Sequence, residues 1–237
     1  MKKSPTTISV GTPIGDLVQS ALDSKKVRKD LVDALGHQSR ALREYASQAL
    51  IDLARADIGL LQEYSAELID ALSRPESLTR YSMIEILGDL AKSEPKIVLG
   101  AYEPLQECLY DEDSGTVRLY AFRVLARYGA TGPARSLKVW PDLSMALRSF
   151  HGDPEFMTMM SELIAMLGGR SDASVKEAAV RLFAFDAEHA KGELRKKAEQ
   201  IASFAPEVLA SINEENEKKK NSGNDKPDAS DKDEEEE

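Results

Sequence analysis

The chain has 237 residues, of which 42% are hydrophobic, and a formal net charge of −10. This size allows a substantial core, the acidic balance disfavours a phosphate-binding surface, and no stretch approaches the roughly 18 apolar residues of a membrane span. A single cysteine, Cys108, excludes an internal disulfide, and the polar segment Met1–Pro13 lacks the apolar centre of a secretory signal. We therefore expect a cytoplasmic protein without a membrane partner.

A short helical motif with leucine at both ends recurs along the chain at a fixed period. Its four copies begin 37, 37 and 38 residues apart and occupy Leu31–Leu35, Leu68–Leu72, Leu105–Leu109 and Leu143–Leu147. A repeat of this length is typical of helical solenoids, in which each unit buries its apolar face only by stacking on its neighbours. The motif thus marks the first helix of each of four units.

A second pattern follows each motif and predicts the second helix of the unit. Its equivalent starting positions are Arg43, Arg80, Arg118 and Met157. Three, seven and ten residues after each start, most of the side chains are apolar, and those spacings fall on one stripe of a helix with 3.6 residues per turn. Each unit is therefore expected to be a hairpin of two apolar-striped helices joined by a polar turn.

Aromatic residues and prolines precede the first helices of three units. Tyr64, Tyr102 and Trp140 are each 38 residues apart, and prolines lie near the later two. Because proline ends or kinks a helix, the stretches 57–63, 95–101 and 133–139 are predicted to be short leading helices bent against the longer ones.

The C-terminal part contains a weaker fifth copy and then a charged segment. Glu193–Ala198, continuing to Ile201, forms the fifth copy, and a helix over 206–212 closes the stack. Residues 213–237 contain 11 acidic residues and 5 lysines, which predicts a disordered tail. We expect a flexible N-terminus over 1–12, a repeat domain over 13–212, and an acidic tail over 213–237.

The segment Leu105–Gly129 carries a recognisable pattern: Asp111-Glu-Asp113 precedes Val117-Arg118, and then come Ala121, Leu125 and Gly129. It resembles the HEAT/armadillo class of helical repeats, and the resemblance extends over roughly residues 25–212. It implies an all-α fold, a right-handed α-solenoid of about five HEAT-like hairpins. The chain also departs from the pattern. Met157 replaces the arginine in the fourth unit, and His37 and Arg74 stand where the first two units need a turn carboxylate, so a continuous ladder of arginines and carboxylates is not expected.

Binding residues are expected on the second helices, which usually line the concave groove of such a solenoid. We number each second helix by its offset from the starting position, which is offset 0. The arginines at offset 0 share the core stripe, so a structural role is predicted for them. Large apolar side chains off that stripe, at offsets 1 and 4, suggest a binding patch bordered by two arginines. The predicted partner-binding residues are Tyr81, Ile84, Leu119, Phe122, Arg123 and Arg127. The alternative for the apolar four is ordinary packing between units.

No catalytic, metal or cofactor site is expected. His37, His151 and His189 belong to different units, and stacked helices lie about 10 Å apart, so His37 cannot share a metal ion with the other two. Cys108 occupies the small-residue position of its motif and is predicted to be a core residue rather than a nucleophile.

Three classes of function remain open from the sequence. The first is a non-enzymatic module that holds a protein partner in the concave groove, as an adaptor, scaffold or assembly factor. The alternative is a nucleic-acid-associated solenoid with an autoinhibitory acidic tail, and it requires a cationic groove that would hold a duplex. The third, an enzyme resembling the HEAT-like chromophore lyases, rests on the fold alone. The tail itself either keeps the chain soluble or interacts with a basic surface.

Overall fold

The computed structural model describes the backbone of residues 8–222 and the side chains of residues 8–215. Within this range the chain forms thirteen α-helices, α1 to α13. In chain order they are Ile14–Asp23, Lys25–Ala34, Arg40–Ala56, Ser65–Asp70, Ser77–Leu90, Lys96–Gly100, Tyr102–Leu109, Gly115–Gly129, Pro133–Ser149, Phe156–Leu167, Ala173–His189, Gly192–Ala202 and Pro206–Ser222. Two 3₁₀ helices, Ile58–Tyr64 and Ala71–Ser73, flank α4.

Residues 8–222 contain no β-strand, only an isolated bridge between Val10 and Thr12. The prediction of an all-α helical-repeat fold is therefore confirmed for this part of the chain. No helix within it is long and apolar enough to cross a bilayer.

The chain divides into two compact units, with the boundary between Val175 and Lys176. The repeat pattern predicts one repeat domain over residues 13–212. The first unit contains α1 to α10, and the second contains α12, α13 and most of α11.

In the first unit, the second helices pack side by side in chain order: α3 packs on α5, α5 on α8, and α8 on α10. The repeated leucines fill the space beneath this layer, because Leu31, Leu68, Leu105 and Leu143 have no solvent exposure. The residues three positions after each start of the second-helix pattern are equally buried: Ala46, Met83, Ala121 and Met160. The period read from the sequence is thus the period of the core.

Local capping explains where several helices begin. The Ser24 and Ser114 hydroxyls accept hydrogen bonds from the amides of Val27 and Val117, at 3.4 and 3.3 Å. The Asp57 carboxylate accepts the amide of Gly59 at 3.0 Å at the start of the first 3₁₀ helix. These bonds satisfy amides that would otherwise have no partner in the first turn.

Two of the three predicted leading helices are present, and the prediction of the third is wrong. Ile58–Tyr64 and α6 match the first two, but α9 runs without a break from Pro133 to Ser149 through Pro141. Pro141 lies on the exposed side of α9, where Leu137 is 48% exposed. Water can therefore solvate the Leu137 carbonyl that lacks its amide partner, so the proline does not separate two helices.

The second unit has a small core of its own. Val180 of α11 packs with Ala202, Ala205 and Val208, and Leu209 and Ile212 cover this cluster. Helix α13 continues to Ser222, so the predicted end of this helix at residue 212 is wrong. The remainder of the predicted acidic tail, 223–237, and the N-terminal residues 1–7 lie outside the described residues.

Candidate partner-binding face

The second helices of the first unit share one open surface, which we call the second-helix face. We define it by eleven exposed or partly exposed side chains of α3, α5, α8 and α10, namely Gln48, Asp52, Arg55, Tyr81, Glu85, Leu119, Tyr120, Arg123, Arg127, Ser161 and Glu162. Contacts across neighbouring helices join them: Arg55 reaches Glu85 at 3.8 Å, and Arg123 reaches Glu162 at 2.6 Å. The four helices therefore present these side chains in one continuous row.

Four of the six predicted binding residues lie on this face and two do not. Tyr81, Leu119 and Arg123 are partly exposed, and Arg127 is exposed. Ile84 and Phe122 are completely buried, so the expectation that they lie off the core is wrong. Helices α5 and α8 each pack between two other second helices as well as on their own first helix. Such a helix buries more than one stripe, and offset 4 falls on the buried side.

An aromatic pair lies at the centre of the second-helix face. The rings of Tyr81 on α5 and Tyr120 on α8 have centroids 5.6 Å apart and are tilted by 44°. The Arg123 guanidinium lies 5.0 Å from the centroid of the Tyr120 ring. This is a favourable aromatic and cation–π geometry. Tyr120 is absent from the predicted binding residues, although Tyr45 at the equivalent offset of α3 was an available signal.

The charges of this face are mixed and largely compensated. Glu162 binds Arg123 at 2.6 Å and lies 3.6 Å from Arg127, while Arg55 contacts both Asp52 and Glu85. Because these guanidinium groups already have carboxylate partners, the face lacks the row of free cations that a phosphate backbone needs.

The arginines at offset 0 of α3, α5 and α8 are structural, as predicted, and each one connects two neighbouring hairpins. Each guanidinium donates a hydrogen bond to a carbonyl in the turn before its own helix: Arg43 to His37 at 2.6 Å, Arg80 to Arg74 at 2.8 Å, and Arg118 to Asp111 at 2.8 Å. Each also binds a carboxylate in the next turn along the chain: Arg43 to Glu76 at 2.9 Å, Arg80 to Asp111 at 2.6 Å, and Arg118 to Glu155 at 3.0 Å.

The ladder of arginines and carboxylates is therefore continuous across the first four hairpins of the repeat, contrary to expectation. The repeat pattern predicts the acceptors at the positions of His37 and Arg74, but the arginine of one hairpin binds the carboxylate of the next. Glu76 forms an ion pair with Arg43, and the Glu76 side chain is only 3% exposed. The hydrogen bond from Arg43 holds the pKa of Glu76 below its usual value, against the opposing effect of burial.

Among residues 8–215, no group of three or more histidine, cysteine or acidic side chains is arranged to hold a metal ion. The Nδ1 atom of His37 accepts the amide of Ser39 at 3.0 Å, and His151 packs on Phe156 with ring centroids 4.6 Å apart. In the second unit, the His189 ring stacks on Phe185 at 4.4 Å.

Cys108 should be chemically inert in the folded chain. The side chain is buried, and burial raises the pKa of its thiol to about 11. At about pH 8 only a very small fraction of such a thiol is the reactive thiolate. We expect a disulfide reagent such as dithionitrobenzoate to leave the native chain unmodified and to label one thiol after unfolding in guanidinium chloride. Rapid labelling of the native chain would contradict this assignment.

Neither a protein-family model nor a curated protein sequence matches the chain. Solved structures do match its fold. A designed armadillo repeat protein in complex with a (KR)4 peptide is 18% identical, with a TM-score of 0.60 over 81% of this chain and 90% of its own. Computationally designed armadillo repeat proteins for modular peptide recognition give 18% identity and a TM-score of 0.61, covering 81% and 91%.

A natural protein has a similar architecture. The archaeal HEAT-like repeat protein from Thermococcus onnurineus NA1 is 17% identical, with a TM-score of 0.51 over 83% of this chain and 93% of its own. Identities this low inform on fold alone. Together with the buried repeat positions and the stacked second helices, they show that this chain has a HEAT/armadillo-type helical-repeat fold.

Proposed function

We propose that this protein is a non-enzymatic interaction module that binds a segment of a partner protein along its second-helix face. The observation that carries this proposal is the partly exposed cluster of Tyr81, Tyr120 and Arg123, held by packing across α5 and α8. Tyrosine and arginine are enriched where protein partners bind tightly. Tyrosine offers a large contact area with few rotatable bonds, and the planar arginine guanidinium donates several hydrogen bonds and stacks on aromatic rings. One designed armadillo repeat protein is in complex with a (KR)4 peptide and others were designed for modular peptide recognition, which supports the same use of such a layer of helices.

The compensated charges of the face favour a protein partner over nucleic acid. Arg43, Arg80 and Arg118 bind buried or turn carboxylates, and Arg123 binds Glu162. A duplex-binding groove requires several cations that can exchange counterions for phosphates. The nucleic-acid alternative would need these ion pairs to be broken on binding.

The test is selection of binding peptides from a random displayed library on the full chain, followed by titration of the selected peptides. We expect Tyr81→Ala together with Tyr120→Ala to weaken binding by about 10-fold or more, as for hot-spot residues. The matched control is Leu137→Ala with Met145→Ala, which removes two exposed apolar side chains from α9. Both double variants should retain native helicity by circular dichroism.

Equal effects of the two double variants on affinity would overturn the assignment of the face. Failure of the library to yield a binder, combined with tight and steeply salt-dependent binding of duplex DNA, would overturn the proposed function itself.

A further inference from the structure

A small cleft lies between the C-terminal ends of α5 and α8 and the short helix α6. It encloses about 110 Å³, and its inner wall consists of Val98, Val124 and Tyr128. These three side chains are 1%, 5% and 7% exposed, so the wall is apolar and fixed by the core behind it. Gly88 and Ala91 of α5 form the opposite side.

The cleft is held in shape by a close approach of two helices. A Cβ atom at Gly88 would lie 2.7 Å from Cγ2 of Val124, which real side chains do not tolerate. The missing side chain lets α5 and α8 meet, and the small Ala91 leaves space beside that contact. An apolar cavity of roughly 150 Å³ accommodates benzene, so this volume is suited to one aliphatic side chain rather than to a larger ligand.

The rim of the cleft carries an excess of positive charge. Lys92 and Arg127 line it, and the Arg135 guanidinium lies 5.3 Å from the ring centroid of Tyr128. The opposing carboxylates are Asp89, which pairs with Lys92 at 2.7 Å, and Glu162, which Arg127 shares with Arg123.

The flanking residues on the α6 side do not change this balance. Glu94 and Lys96 stand on either side of the lining residue Pro95 and cancel in formal charge, and Glu94 accepts a hydrogen bond from Gln62 at 2.9 Å. The rim therefore has three cations, Lys92, Arg127 and Arg135, against Asp89 and the Glu162 carboxylate that Arg127 shares with Arg123, which leaves a small positive excess. Such a rim attracts anionic groups.

We propose that this cleft binds one aliphatic side chain of an acidic partner segment, whose carboxylates contact the rim on either side of the anchor. The proposal rests on the proposed function and names the class of partner at one end of the second-helix face. The chain's own acidic residues 213–237 contain no leucine, isoleucine, valine, methionine or phenylalanine. They lack the side chain that would fill the cleft, which favours a separate partner as the occupant.

The test uses a fluorescein-labelled peptide with a central leucine between pairs of glutamates, measured by anisotropy with the full chain. Two comparison peptides replace the leucine by serine or the glutamates by lysine. We expect the leucine and glutamate peptide to bind at least about 10-fold tighter than either. Its affinity should fall with added salt, because rim charges are screened.

Matched variants locate the site. Ala91→Leu fills the cleft and should reduce affinity about 10-fold, whereas Ala54→Leu, at the equivalent offset of α3, should leave it unchanged. Arg127→Gln should weaken binding and flatten the salt dependence. The charge control is Arg148→Gln, since Arg148 is exposed on α9 with no ion pair to another described residue. Unchanged melting of all four variants would show that the fold is intact.

Several outcomes would overturn this inference. These are equal binding of the leucine and serine peptides, an unaffected Ala91→Leu variant, or equal effects of the two arginine variants. If Tyr81→Ala with Tyr120→Ala weakens peptide binding while Ala91→Leu does not, the cleft assignment fails and the proposed function stands. Tighter binding of a synthetic peptide of residues 223–237 than of the leucine peptide would identify the chain itself as the occupant, and would also overturn the inference.

Discussion

Phe122→Ala should lower the free energy of unfolding of the first compact unit, which ends at Val175, by about 3–5 kcal/mol. The ring is completely buried in α8, between neighbouring second helices. Its removal leaves a cavity that a layer with helices on both sides cannot close. Trp140, the single tryptophan, lies in α9 of the same unit, so its fluorescence during denaturant titration measures the effect where it occurs.

The control is Leu119→Ala, one turn earlier on the same helix. Leu119 is partly exposed, so the loss should be about 1 kcal/mol. A Phe122→Ala chain that keeps its stability but loses partner binding would instead restore Phe122 to the binding patch.

Loss of either partner of the Arg43 and Glu76 pair should cost about 3–5 kcal/mol, because the remaining charge is left buried without compensation. The side chains are only 12% and 3% exposed, and the guanidinium also holds two carbonyls of its own turn. Arg43→Met and Glu76→Leu combined should cost clearly less than the sum of the single changes. Chemical denaturation of the four chains gives the coupling energy directly.

The chain contains a matched exposed pair for comparison. Lys25 and Glu63 are 68% and 47% exposed and 2.5 Å apart, and the same cycle there should give a much smaller coupling, because solvent screens both charges. Equal coupling at both sites would contradict the assigned role of burial.

The same pair makes stability sensitive to acid. Because the pKa of Glu76 is lowered in the folded state, its contribution is complete above the unfolded value of about 4.3 and is lost as the pH falls through the folded value. Glu76→Gln removes this titrating group, so the loss of unfolding free energy on acidification should be smaller than in the unmodified chain.

The hairpin layout was predictable because it depends on a period, and a period survives variation at single positions. Leu105 and Ala121 could each be read as core from their spacing, and both are fully buried. The continuous α9 was not predictable, since the effect of Pro141 depends on whether the helix exposes or buries the carbonyl that loses its partner.

The binding face was predictable only in part. The sequence distinguishes a core stripe from its opposite side, but it does not show how far neighbouring helices wrap around that stripe. Tyr81 at offset 1 remains partly exposed while Ile84 at offset 4 is fully buried. The cleft beside Gly88 depends on a contact with Val124 of the next unit, which no local pattern encodes.

The ladder also bears on how a chain of this kind can lengthen. The second and third hairpins each contribute an acceptor, Glu76 or Asp111, and a donor, Arg80 or Arg118. A duplicated copy of either would find matching groups on both sides and would join the series without a newly evolved interface. The first hairpin contributes only a donor, and the fourth hairpin, with Met157 at the arginine position, contributes only acceptors. Growth by duplication is therefore possible in the middle of the series, whereas its two ends are fixed by the groups they lack.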